Sequence, residues 1–257
     1  QRHSLEMELQ QAIRAEEFEL FFQPQVRLSD RKICGGEALI RWRHPDNGWR
    51  TASDFMPVIE EIGLCRKRDE CVHNKAQKIS VEKSFPPDFV LALNLSSREF
   101  VTDDLADMLA RSIDHNRPVN PILELEITQN ALVRPSQSTD RALKLLGELG
   151  VVLALDDFGS GYSSLSYLKT LPVAALKMDQ SFIRDLPENP ESQSIVKAIL
   201  SLGENLSYRV VAAGVETQAQ HDILKEYGCE IAQGNFYGEP EPSESFFARL
   251  EETVLQG

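Results

Sequence analysis

The chain has 257 residues, 42% apolar and 26% charged, with a net charge of −13. That length suits one large domain or two small ones with a substantial core. The negative balance argues against a nucleic-acid polymer or an anionic membrane as the main partner, but leaves a small phosphorylated ligand open if metal ions supply positive charge. Four cysteines, Cys34, Cys65, Cys71 and Cys229, show no CxxC spacing. They read as free thiols in a reducing, cytoplasmic compartment. No apolar stretch reaches the roughly 18 residues of a membrane span, so no membrane contact is expected of this domain itself. The chain begins at Gln1 without an initiator methionine. We read it as one domain, 1–257, from the C-terminal part of a longer protein whose missing portion could carry an anchor.

In chain order, eight segments read as strands: 18–26, 33–42, 90–96, 122–128, 151–158, 174–179, 209–215 and 231–236. Amphipathic stretches with helical periodicity fall at 53–63, 66–82, 104–115, 136–149, 192–207, 217–227 and 243–254. Pro135-Ser136 and Pro190-Glu191-Ser192 look like helix starts, and Gly150 and Gly228 sit where a helix hands over to a strand. Strands alternating with helices imply parallel βαβ units. Eight of them in about 250 residues match a closed (β/α)8 barrel of the α/β class. Only Arg27–Lys32 separates the first two strands. That link is too short for a parallel crossover, so the first strand is expected to run antiparallel to the second.

Polar residues interrupt the apolar runs of six of these strands: Glu37, Asn94, Glu126, the pair Asp156 and Asp157, Lys177 with Asp179, and Gln233. Taken singly, each could start a loop. Most of them fall at strand C-terminal ends, the face where barrels build active sites. Glu37, Asn94, Glu126, Asp156 and Asp157 offer only oxygen donors, which selects Mg²⁺ or Mn²⁺ over zinc.

In order along the chain, Phe22-Gln-Pro-Gln25, Glu37-Ala-Leu-Ile-Arg-Trp42, His44-Pro45, Asn94-Leu-Ser96, Glu124-Leu-Glu-Ile-Thr128, Asp156-Asp-Phe-Gly-Ser-Gly-Tyr-Ser-Ser-Leu165, Leu176-Lys-Met-Asp179, Gly214-Val-Glu216 and Gln233-Gly234 resemble the EAL-domain family of cyclic-di-GMP phosphodiesterases. The resemblance runs from about residue 5 to the end. It implies a (β/α)8 barrel with one antiparallel strand and hydrolysis of cyclic-di-GMP to linear pGpG, in a bacterial second-messenger protein. Glu37, Asn94, Glu126 and Asp156 would hold one metal. Asp156 and Asp157 would hold a second, with Mg²⁺ or Mn²⁺ active and Ca²⁺ inhibitory. Glu37, Asp156, Asp157 and Lys177 would be catalytic, Lys177 orienting or helping to deprotonate the water. Arg41 would pair with a phosphate and Gln23 reach a guanine edge, with Asp179, Glu216 and Gln233 also facing ligand. A homodimer is implied as well.

This chain departs from the family pattern at several positions. Ala213 stands where the strand-seven motif has a glutamate, a carboxylate at the second metal and its water. Gln129 replaces a glutamate that anchors the glycine-rich loop after the aspartate pair. Asn235, Tyr237 and Gly238 replace tyrosine, phenylalanine and serine, and Arg50 and Ala52 replace an aliphatic residue and a proline. Strongly impaired hydrolysis is therefore the first expectation. A non-catalytic cyclic-di-GMP receptor is the second, and a nucleotide-free interaction scaffold the third. Ala213 fits either natural degeneration or a deliberate substitution.

Overall fold

The structure is a computed structural model that describes residues 2–96, 121–128, 137–159 and 173–255. Its strands are β1 (Phe18–Arg27), β2 (Ile33–His44), β3 (Gly48–Thr51), β4 (Val90–Asn94), β5 (Ile122–Thr128), β6 (Val152–Phe158), β7 (Val173–Met178), β8 (Arg209–Ala213), β9 (Ile231–Gln233) and β10 (Glu241–Pro242). The helices are α1 (Arg2–Arg14), α2 (Ala52–Glu61), α3 (Cys65–Glu82), α4 (Gln137–Glu148), α5 (Gln180–Arg184), α6 (Pro190–Leu206), α7 (Gln218–Glu226) and α8 (Ser243–Leu255). The expected helix 104–115 lies outside the described residues. Among the described residues, no helix is long and apolar enough to cross a membrane.

Strands β2, β4, β5, β6, β7, β8 and β9 pair in parallel succession, and β1 closes the ring antiparallel to both β9 and β2. The result is the expected α/β barrel of the TIM type with its first strand reversed. Two short strands lie beyond the ring: β3 extends β2, and β10 pairs with β1. Central strands such as Val90–Asn94 and Val173–Met178 are almost wholly buried, because helices cover one face and barrel-filling side chains the other.

The outer wall shows why these sequences fold as they do. Along β1, Phe18, Leu20 and Phe22 alternate with Phe21, Gln23 and Gln25, the period of a strand with two different faces. Phe22 packs on Phe246 and Phe247 of α8, with ring centroids 5.4 and 5.5 Å apart. Gly36 on β2 makes room for that helix, since a Cβ there would lie 2.8 Å from Phe246 Cζ. Helix starts follow local chemistry. Asn189 accepts from the Glu191 amide at 3.0 Å ahead of Pro190, and Thr217 and Gln220 form a reciprocal capping box on α7.

Candidate active site

The parallel strands deliver their C-terminal residues to one mouth. Register places Asn94 beside Glu126, Thr128 beside Asp156 and Ala213 beside Gln233. The reversed β1 sets Gln23 opposite Glu37 and Gln25 opposite Gln233. At the centre stands the buried ammonium of Lys177. It lies 2.7 Å from Glu37 Oε2, 2.8 Å from Glu126 Oε2 and 3.8 Å from Asp156 Oδ1. Asn94 Nδ2 donates to Glu37 Oε1 at 2.6 Å, and Gln233 Nε2 donates to Glu37 Oε2 at 2.6 Å.

Three carboxylates around one ammonium leave a surplus of negative charge, and the protonation equilibria reflect it. Burial pushes the Glu126 carboxyl well above the usual range, and the neighbouring Glu37 charge adds to the rise. Burial would raise Glu37 too, but the Lys177 charge and hydrogen bonds from Lys177, Gln233 and Asn94 hold it below its ordinary value. Burial alone would favour a neutral Lys177 amine. The charges of Glu126, Glu37 and Asp156 overrule it and raise the pKa well above the lysine value. Asp157 is raised by burial and then by Asp156 and Asp179. Its backbone φ of 52° is in the left-handed region, where aspartate is among the better-tolerated side chains. There the Asp157 amide donates to Asp156 Oδ1 at 2.9 Å.

A cavity of about 330 Å³ opens over this cluster, lined among others by Gln23, Glu37, Asp156, Asp157, Lys177 and Ala213. Glu216 and Gln233 line it too. Two further expected residues have other partners here. The Arg41 guanidinium donates to the Ile40 carbonyl at 3.1 Å and lies 5.8 Å over the Phe21 ring. Asp179 spends one carboxylate oxygen capping α5, accepting from the Ser181 amide at 2.7 Å. Gln129 and the glycine-rich loop beyond Gly159, with any dimer contact made there, lie outside the described residues.

The oxygen-rich donor set suits a hard divalent cation. Glu126 Oε1 is buried with no hydrogen-bond partner, an orphan acceptor of the kind that a cation satisfies. Asn94 turns its nitrogen to Glu37, which leaves its carbonyl oxygen as the atom it can offer a metal. Among the described residues no three acidic side chains form a ready cage, and the Lys177 ammonium stands among Glu37, Glu126 and Asp156.

Four residues to which the sequence assigned no role contribute to the site. Gln180 lines the cavity from the first turn of α5. Gln25, Glu124 and Arg209 build a polar network beneath the mouth. Glu124 carried a signal, since it is two residues from Glu126 and so shares its strand face.

Comparisons with known proteins give the family and the fold. The family pattern described as EAL domain matches residues 6–240. The chain is similar to the bifunctional diguanylate cyclase/cyclic di-GMP phosphodiesterase MucR of Pseudomonas aeruginosa, 36% identical over 95% of this chain and 36% of that protein. It is also similar to the cyclic di-GMP phosphodiesterase NbdA of the same organism, at 37% identity over 98% of this chain and 32% of that protein. The chain thus spans about a third of the length of these curated relatives. A solved structure of the MucR phosphodiesterase in complex with c-di-GMP superposes with a TM-score of 0.87, at 36% identity, covering 95% of this chain and 99% of that one.

Proposed function

The chain belongs to the EAL-domain family, and from that premise we propose that its barrel mouth binds cyclic-di-GMP and hydrolyses one phosphodiester bond, giving linear pGpG. Turnover in this sequence is held low by Ala213. The observation that carries the reading is the buried Lys177 ammonium among Glu37, Glu126 and Asp156, at the floor of an open cavity on the C-terminal face. Such a floor suits a phosphodiester when cations are bound, because the bare carboxylates would repel it.

Glu37, Asn94, Glu126 and Asp156 would hold one Mg²⁺ or Mn²⁺, and Asp156 with Asp157 a second. Bound there, the metals would lower the pKa of a water and neutralise charge on phosphate oxygens. The chain's own groups do the rest. Lys177, with its pKa raised and its ammonium charged, would orient the attacking water on the phosphorus. The water oxygen bonds to phosphorus as the P–O3′ bond breaks, a proton from that water ends on the 3′ oxygen, which leaves as a hydroxyl, and the phosphate stays on the 5′ side. Gln23, aligned by Gln233, presents its amide to a base edge or phosphate. Arg41 can reach a phosphate if it leaves Phe21, its planar fork suiting bidentate contact.

One observation favours a second reading, a receptor that binds without hydrolysing. Ala213 ends β8 on the cavity wall, where the family pattern has a carboxylate, while the Gln23–Gln233–Glu37 network is complete. Calorimetric titration with cyclic-di-GMP, with and without EDTA and with product analysis, separates the two. Slow appearance of pGpG with Mn²⁺ supports the enzyme. Micromolar or tighter binding with no product supports the receptor, and absence of binding under every metal condition overturns both.

Millimolar Mg²⁺, Mn²⁺ or Ca²⁺ is also expected to raise the thermal midpoint, because a cation held only by the folded carboxylates stabilises that state by mass action. Asp156→Asn should abolish most of the increase, and Asp157→Asn less of it. A melt indifferent to divalent ions removes the metal from this proposal.

A further inference from the structure

We propose that Arg209 and Gln25 are positioning residues, which act through a chain of carboxamides to fix the hydrogen-bonding polarity of Gln23 and Gln233 at the barrel mouth. Where ligand binding is the readout, this rests on the cyclic-dinucleotide reading above. Beneath the mouth, Arg209 at the start of β8 pairs with the buried Glu124 of β5. The same guanidinium donates from NH1 to Gln25 Oε1 at 3.5 Å. Gln25 has no exposed surface. Its Nε2 donates to Gln233 Oε1 at 3.3 Å. Gln233 Nε2 then donates to Glu37 Oε2 at 2.6 Å and to Gln23 Oε1 at 3.0 Å. Gln23 Nε2 ends the series on Asn235 Oδ1 at 3.2 Å and the Gly238 carbonyl at 3.3 Å.

The direction of every link follows from the first. A guanidinium only donates, whereas a carboxamide has an accepting oxygen on one side and a donating nitrogen on the other. Gln25 must therefore turn its oxygen down to Arg209 and its nitrogen up to Gln233. If Gln25 reversed, its nitrogen would face the Arg209 donors and its oxygen the Gln233 oxygen. Reversing Gln233 to relieve that clash would set its oxygen against the Glu37 carboxylate. Glu37, an acceptor at the top, and Arg209, a donor at the bottom, thus hold the series in one polarity from both ends. The backbone is shaped to admit it. Gly35 lies opposite Gln25, and a Cβ there would sit 2.8 Å from Gln25 Oε1.

Nuclear magnetic resonance of the free, ¹⁵N-labelled protein tests the relay without ligand. The side-chain amide signals of Gln23, Gln25 and Gln233 would be assigned by single substitutions. Arg209→Met should move the Gln25 and Gln233 signals, and Arg209→Lys, which keeps a donor, should largely restore them. Removing Arg209 exposes Glu124 to an unpaired, buried state and could unfold the chain. Gln25→Met leaves the Arg209–Glu124 pair whole and cuts the series one link later, so it carries the same test. Cyclic-di-GMP titration in Ca²⁺ then reads the consequence. Each Met variant should bind about 5- to 10-fold more weakly, the loss of one buried hydrogen bond. The double variant should be no weaker than Gln25→Met within about twofold, because Arg209 acts through Gln25. Unmoved Gln233 signals in both Met variants, or losses that add, overturn the relay. Failure of the unsubstituted protein to bind cyclic-di-GMP would overturn the ligand assignment, and the amide signals would still decide the relay.

Discussion

Lys177→Met is expected to lower stability at pH 7 by about 3–5 kcal/mol, the cost of leaving buried carboxylates without their cation. For a domain of this size that is roughly a 10 °C fall in the thermal midpoint. Methionine fills nearly the same volume, so the loss is electrostatic rather than a cavity. The pH dependence identifies the cause. Lys177 has a raised folded pKa, so its stabilising share is complete below the ordinary value of 10.5 and disappears only as pH climbs through the higher folded value. Glu37 is lowered, so its share is present above 4.5 and is lost as pH falls through its folded value. Glu126 runs the other way. Its raised pKa means the fold keeps a proton that the unfolded chain releases, so its contribution declines as pH rises from 4.5 toward the folded value. Without the ammonium, Glu37 loses its main depressing charge and burial raises it as well. The gap between variant and parent should therefore be widest near neutrality and should narrow as pH falls toward 4.5. Thermal melts from pH 4.5 to 8 check this, and a gap independent of pH would refute the account. Millimolar Mn²⁺ should close part of the gap at neutral pH if the freed carboxylates take the metal.

The position of Lys177 and its carboxylates was legible in the sequence because a charge that interrupts an apolar strand near its C-terminal end is conspicuous. The reversal of β1 was legible because Arg27–Lys32 cannot span a crossover. Other features were not. β3 and β10 have four and two residues, too few for periodicity, and exist because β2 and β1 offer them edges. The helix Arg2–Arg14 did carry apolar spacing at Leu5, Leu9, Ala12 and Ile13, but a position before the first strand gave it no place in the alternation. Strand ends also differ: 231–236 shortens to Ile231–Gln233, because the next residues turn back on Val215, with the Phe236 amide donating to its carbonyl at 3.0 Å. The network joining Gln25, Glu124 and Arg209 was not legible for a different reason. These residues lie below the rim, and their pairing depends on which strands become neighbours across the barrel, information that strand periodicity does not contain. The partners of Arg41 in the free protein, the Ile40 carbonyl and Phe21, likewise come from the geometry of β1 and β2 and not from its motif.

Ala213→Glu is expected to raise the rate of cyclic-di-GMP hydrolysis by about 10²-fold, the scale on which one well-placed charged group changes a barrier. Ala213 is the last residue of β8, in register with Gln233, and lines the cavity with Asp156, Asp157 and Lys177. A glutamate there would extend from the end of β8 toward the side of the cluster where the second metal is proposed. It would also add a negative charge beside carboxyls already raised by burial and by one another. Two opposed effects follow. Without metal, the variant should melt slightly lower than the parent, by about 1 kcal/mol of added repulsion. With Mn²⁺ it should melt higher, because the same charge strengthens cation binding. The kinetic signature should match: kcat rises, the Mn²⁺ concentration for half-maximal rate falls, and KM for cyclic-di-GMP changes little, since alanine removes no contact assigned to the bases. A general improvement in folding would instead raise the melting point in EDTA and leave the Mn²⁺ dependence unchanged. Equal, robust turnover by the parent and the variant across a Mn²⁺ titration would show that the mouth manages without a carboxylate on β8, and the proposed impairment would be wrong.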